Sequence, residues 1–136
     1  MIRALVLLLI LFPSFALATG ELLSPPDAWK RAEAGELTII DIRTPPEWAW
    51  TGVPKTSKRA TWWKLSGEEG FLDDVLALTG GDRDMPIALI CAAGVRSSDA
   101  ARFLISRGFS NVSDIGEGMM GGRAGPGWLE RKLPLE

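Results

Sequence analysis

Two kinds of hydrophobic pattern take turns along this chain. Short, almost unbroken apolar runs occur at Leu37 to Ile42 (LTIIDI) and Pro86 to Cys91 (PIALIC), with a further strand pattern at Phe109 to Ile115. Runs of this length bounded by turn residues predict buried strands. Between them the apolar positions fall at helical spacing. Ser24-Pro25-Pro26-Asp27 opens a helix that runs to about Ala34 and stops at Gly35. Thr44-Pro45-Pro46 breaks the first strand, and a helical turn follows through Glu47 to Trp50. Phe71, Leu72, Val75, Leu76 and Leu78 mark a helix over 68–78, ended by Gly80-Gly81-Asp82. Ala100, Ala101, Leu104 and Ile105 share one face of a helix from Arg96 to Arg107, stopped by Gly108. Lys58 to Trp62 predicts a short strand, whose alternation would turn one of Trp62 and Trp63 inward and the other outward. From Gly116 the chain is glycine-rich and loop-like, with a final turn around Trp128 to Lys132. Buried strands alternating with helices predict an α/β fold with a mainly parallel sheet.

The first residues read differently. Arg3 precedes an apolar run from Ala4 to Phe12, a break at Pro13, and a small-x-small site at Ala16-Leu17-Ala18. That pattern predicts a cleavable signal peptide over 1–18 and export to a periplasmic or secreted location. The apolar run falls short of the roughly 20 residues needed to span a bilayer. Residues 19–136 then form one domain.

Net charge is −2, and no block of like charges occurs. This argues against nucleic acid or an anionic membrane as a partner. Two counts narrow the chemistry further: there is no histidine, and there is one cysteine, Cys91. A Ser-His-Asp triad, a Cys-His dyad and a histidine-ligated zinc site are therefore excluded. No metal and no cofactor are expected. A lone cysteine in an exported chain is either an inert core residue or a reactive thiol.

The segment Cys91-Ala92-Ala93-Gly94-Val95-Arg96-Ser97 separates these readings. Cys91 ends a strand, where ligands bind in open α/β sheets. Small residues let the loop curl, and Gly94 permits dihedrals closed to other residues. A curled loop before a helix turns its N–H groups inward. The helix N-terminus and Arg96 add positive potential. All three favour a thiolate at Cys91, a nucleophile that needs no histidine. Ser97 or Ser98 is expected to cap the helix.

The chain resembles the rhodanese-like domain family on three ordered motifs. Asp41-Ile42-Arg43-Thr44-Pro45-Pro46-Glu47-Trp48 is similar to the family's D-V-R-x-x-x-E-aromatic. Cys91 to Ser97 is similar to its active loop C-x-x-G-x-R-[ST]. Gly116 to Gly121, leading to Gly127-Trp128 and Leu133-Pro134, is similar to its glycine-rich exit. The resemblance implies a three-layer α/β/α fold around a mainly parallel sheet of about five short strands. It implies that Cys91 is catalytic and carries sulfane sulfur as a persulfide. Ala92, Ala93, Gly94, Val95 and Arg96 become the substrate-binding loop. Asp41, Glu47 and Ser97 are supporting residues; Asp41 and Glu47 either hold Arg96 and the loop or serve only the core or surface. The implied partners are a small thiosulfate-like donor and a cyanide or thiol acceptor, including a periplasmic protein thiol.

The sequence departs from the family in two places. Gly52-Val53-Pro54-Lys55-Thr56 lacks the family's histidine. Ala92 and Ala93 stand where thiosulfate-specialised members carry basic residues, so charge for a dianion would come from Arg96, Lys58, Arg59 or Arg123. The C-x4-R spacing separates the loop from the longer C-x5-R of related phosphatases. Three rivals remain: a sulfur-delivery or partner-binding module without turnover, a cysteine phosphatase or arsenate reductase, and a packing-only cysteine.

Overall fold

The computed structural model describes residues 20–136; the expected signal peptide lies outside the described residues. Five strands form one sheet: β1 (Glu21–Leu22), β2 (Thr38–Asp41), β3 (Lys58–Arg59), β4 (Ile87–Ile90) and β5 (Val112–Asp114). Their order is β1-β5-β4-β2-β3, and every pairing is parallel. Four helices connect them: α1 (Pro25–Glu33), α2 (Pro45–Thr51), α3 (Gly67–Thr79) and α4 (Val95–Ser106).

Alternation along the central strands assigns the two faces. Ile40, Ile42, Ile87, Leu89 and Cys91 pack with Phe71 and Val75 of α3 and with Ala100 and Leu104 of α4. Ile39, Ala88 and Ile90 pack instead with Ala28 of α1, Met119 and Trp128. Both faces are covered, which is why β2 and β4 lack polar alternation. The result is the three-layer α/β/α arrangement that the resemblance implied.

Local chemistry sets the helix ends. Ser24 Oγ accepts from the Asp27 N–H at 3.3 Å, and Pro25 and Pro26 need no partner for missing amide hydrogens. At α2 the Thr44 N–H and hydroxyl both donate to Glu47 Oε1, at 3.3 and 3.0 Å. Helix α3 stops where Gly80 turns left-handed.

Three details differ from the sequence expectations. β1 was not expected: it is two residues long and exposed, too short to show a period. β3 is confined to Lys58–Arg59, so Trp62 and Trp63 lie beyond it, although Trp62 is buried and Trp63 is 63% exposed. The cap of α4 is Gly94, neither Ser97 nor Ser98.

Candidate functional site

Cys91 follows the last residue of β4, at the carboxyl edge of the sheet. Gly94 reverses the chain with φ 93° and brings its backbone against Gly116, so that a Cβ there would sit 2.2 Å from the Gly116 carbonyl oxygen. Helix α4 therefore starts at Val95, with its first turn directed at the sulfur. Cys91 Sγ accepts from the Gly94 N–H at 3.1 Å and from the Ser97 N–H at 3.4 Å. The Ser97 hydroxyl is also 3.4 Å from Sγ. This explains the missing serine cap: Ser97 is fully buried on the first turn and is held to the sulfur and to the Gly94 carbonyl.

Cys91 is only 1% exposed and belongs to a hydrophobic cluster, yet its sulfur faces amide hydrogens. The amides of Ala92, Ala93, Val95 and Arg96 have no hydrogen-bond partner among the described residues. These four residues and Cys91 line a concavity of about 400 Å³, closed laterally by Thr44, Glu47 and Trp63. Unpaired N–H groups beside a dipolar helix end suit a negatively charged terminal sulfur or an oxyanion.

Arg96 is fixed from outside the loop. Its two terminal nitrogens donate to the two Glu47 oxygens at 2.7 and 2.8 Å. The guanidinium holds the Glu47 carboxyl down at about 2, against the opposing effect of burial, and Glu47 raises Arg96 in return. Arg96 also lies over the Trp63 ring, 5.2 Å from its centroid. Glu47 thus lies against Arg96 at the edge of the loop.

Asp41 does not hold Arg96. Its carboxylate pairs with Arg43, accepting from Nε at 3.0 Å and Nη2 at 2.8 Å, with both residues buried. Arg43 reaches on to Thr51 Oγ1 and the Gly52 carbonyl, at 3.0 and 2.9 Å. Asp41 thereby braces the end of α2, which carries Glu47, and its support of the loop is indirect. The adjacent Arg43 explains the difference: it is the nearer cation.

The glycine-rich segment clamps the other side of the loop. The Met119 and Met120 N–H groups donate to the Cys91 and Ala92 carbonyls, both at 2.8 Å. A Cβ at Gly118 would fall 2.3 Å from the Ala92 oxygen, so only glycine permits this approach. Buried Glu117 ties the segment to Arg131 Nε at 2.8 Å and to the Gly127 N–H at 3.0 Å.

Thr44 and Trp63 line the concavity, and neither is among the site residues that the sequence pointed to. Lys58 and Arg59 stay on the exposed end of β3, where Arg59 lies 5.7 Å from the Trp48 ring centroid. Arg123 lines a different cavity. None of the three basic residues lines the concavity around Cys91.

Comparison with known proteins decides the family: the rhodanese-like domain description matches residues 24–124. The chain belongs to the rhodanese-like family. This rhodanese-like domain is 31% identical over 116 residues to the thiosulfate sulfurtransferase GlpE of Actinobacillus pleuropneumoniae serotype 3, covering 84% of this chain and 91% of the relative. It is 30% identical over 100 residues to an uncharacterized protein of Rickettsia prowazekii, covering 72% of this chain and 81% of the relative. Among solved structures it is similar to a polysulfide-sulfur transferase homodimer from Wolinella succinogenes, with 29% identity and a TM-score of 0.64 over 86% of this chain and 78% of that one. Together these matches support the sulfurtransferase family for the rhodanese-like domain described here.

Proposed function

We propose that this rhodanese-like domain moves sulfane sulfur from a small donor to a thiophilic acceptor through a persulfide on Cys91. The carrying observation is the placement of Cys91 Sγ, which accepts the Gly94 and Ser97 N–H groups at the start of α4. The short C-x4-R loop suits a single terminal sulfur, and sulfur-transferring relatives support the same reading.

In the first half-reaction the Cys91 thiolate attacks the outer sulfur of a donor such as thiosulfate. An S–S bond forms at Cys91, the donor's S–S bond breaks, and sulfite leaves with the bonding pair. The terminal sulfur carries the negative charge and meets the unpaired amides of Ala92, Ala93, Val95 and Arg96. In the second half-reaction cyanide or a thiolate attacks that outer sulfur. The Cys91–S bond breaks, its electron pair returns to Cys91, and thiocyanate or a new persulfide departs. A covalent intermediate of this kind gives ping-pong kinetics.

One observation favours slow use of thiosulfate. Among the described residues the concavity holds one cation, Arg96, and Glu47 pairs with it. A dianion entering there meets amides and a compensated ion pair, so a sulfur-delivery role to a less charged acceptor, including a protein thiol, is the second reading. The leader pattern of the sequence supports a periplasmic or extracellular setting for either activity.

The test is mass spectrometry of the intact protein after thiosulfate or polysulfide treatment. Wild-type protein gains one sulfur on Cys91, and Cys91→Ser gains none. Unmodified wild-type protein, with no turnover of any sulfane donor, overturns the proposal.

A further inference from the structure

A second cavity, of about 530 Å³, adjoins the concavity around Cys91 and shares Ala93 and Val95 with it. Cys91 itself does not line it. Its size falls within the range of about 300–1,000 Å³ usual for small-molecule sites. It lies at the carboxyl end of β5, the side of an open α/β sheet where ligands bind.

Three kinds of group meet on its wall. The first is a carboxyl. Asp114, the last residue of β5, lines the cavity and is only 5% exposed. Its Oδ1 is buried and has no hydrogen-bond partner. Nearly all buried polar atoms are paired, so an orphan of this kind marks a place where a partner belongs. Arg102 on α4 does not supply it, because Arg102 pairs with Asp99. The register partners of Asp114, Leu89 on β4 and Leu22 on β1, carry no polar side chain. The second group is a cation. Arg123 is exposed, lines the same cavity and belongs to no ion pair among the described residues. Asp114 and Arg123 thus face one cavity beyond ion-pair reach of each other. The third is apolar surface, supplied by Leu22, Val95 and Ala124. Leu22 and Val95 are large hydrophobic side chains left exposed.

We propose that this cavity binds a small amino-acid zwitterion with an apolar side chain. The ligand's ammonium donates to the Asp114 carboxylate, and its carboxylate pairs with Arg123. Its side chain lies against Leu22, Val95 and Ala124. A ligand with both charges satisfies two groups that the fold keeps apart. An anion alone would leave Asp114 without a partner, and a cation alone would leave Arg123 without one. Asp99 also lines the cavity, but its charge is already held by Arg102. Burial pushes the Asp114 carboxyl up, and an ammonium beside it would oppose that shift. The site requires no reaction at Cys91 and stands apart from the sulfur-carrier reading. Ala93, Gly94 and Val95 belong both to the cavity wall and to the Cys91 loop, so their amides report its occupancy.

The test titrates L-leucine into isotope-labelled protein while amide NMR spectra are recorded. Saturable shifts are expected at Ala93, Gly94, Val95 and Ala124. Isocaproate lacks the ammonium and L-leucinamide lacks the carboxylate. Each is expected to bind about tenfold more weakly, as the loss of one charge-assisted contact implies. Arg123→Gln and Asp114→Asn are each expected to weaken L-leucine by about the same factor. If Asp114→Asn gives no cooperative thermal transition, Arg123→Gln at an exposed position and the two analogues decide. The proposal is overturned if L-leucine gives no saturable shifts, or gives them only away from this cavity. Either analogue binding as tightly as L-leucine overturns it, as does wild-type affinity in Arg123→Gln or in folded Asp114→Asn. Thiosulfate loading of Cys91 is weighed in parallel on the same protein. Protein that takes up sulfur but does not bind L-leucine overturns this site alone.

Discussion

Arg96, on the first turn behind the Cys91 sulfur, is gripped by both oxygens of Glu47 from a helix 49 residues earlier in the chain. The bond joins the two motifs that carry chemistry, and it fixes a long side chain at the rim of the concavity. Glu47→Gln keeps the shape and removes the charge. Charge-assisted bonds are about twice as strong as neutral ones. Sulfur loading of Cys91 is expected to slow by roughly tenfold, with about 1 kcal/mol lost in urea unfolding because the pair is partly exposed.

The same pair predicts acid sensitivity with a definite sign. Arg96 lowers Glu47 from 4.5 to about 2, so the folded state binds this proton less readily than the unfolded chain. The stabilisation is present above about 4.5 and is lost as pH falls toward about 2. Thermal unfolding across that window should show a steeper decline for wild-type protein than for Glu47→Gln.

Asp114 has the opposite sign. Burial raises its carboxyl, so the folded state holds the proton more readily than the unfolded chain. Its favourable contribution is complete below the ordinary value of 3.8 and fades as pH rises through the raised one. The melting temperature of Asp114→Asn relative to wild type is expected to climb from acid to neutral pH, by a few degrees if about 1 kcal/mol is involved.

Gly94→Ala tests the loop itself. The new Cβ would lie 2.2 Å from the Gly116 oxygen at a φ of 93°, so the backbone must shift. Left-handed strain alone costs about 1–3 kcal/mol, and the clash adds to it. Urea unfolding should register that loss. Persulfide formation should fall more than stability does, because the Gly94 N–H leaves the sulfur.

Asp41→Ala strands Arg43, which is 1% exposed. Removing one partner of a buried ion pair costs about 3–5 kcal/mol. Urea denaturation should show this, whereas Cys91 of the folded fraction should alkylate at close to the wild-type rate. The contrast separates bracing of α2 from direct service to the sulfur.

Much of this arrangement was legible in the sequence because it follows local rules. LTIIDI and PIALIC became β2 and β4, since an apolar run between turn residues has few other places to go. The Ser24 cap and the Gly80 stop obey short-range chemistry. Cys91, Gly94 and Arg96 stood out through spacing. What stayed hidden depends on partners distant in sequence. β1 exists only because β5 is beside it. Asp41 chose Arg43 over Arg96 on grounds of proximity. Ser97 looked like a cap because serine usually is one there, yet its burial against Cys91 depends on how tightly Gly94 turns. Asp114 offered one faint signal, an acid near the end of a strand otherwise destined for the core.

The all-parallel sheet bears on how the chain is made. Its ladders join distant segments, Ile39 to Ala88 in one and Glu21 to Ser113 in another. Such non-local pairing folds slowly, and a nascent chain emerges from its N-terminus first. The last strand and the glycine clamp are therefore synthesised after Cys91. Until they arrive the thiol lacks the cover that the folded domain gives it. Shelter reaches the sulfur late in the assembly of the domain.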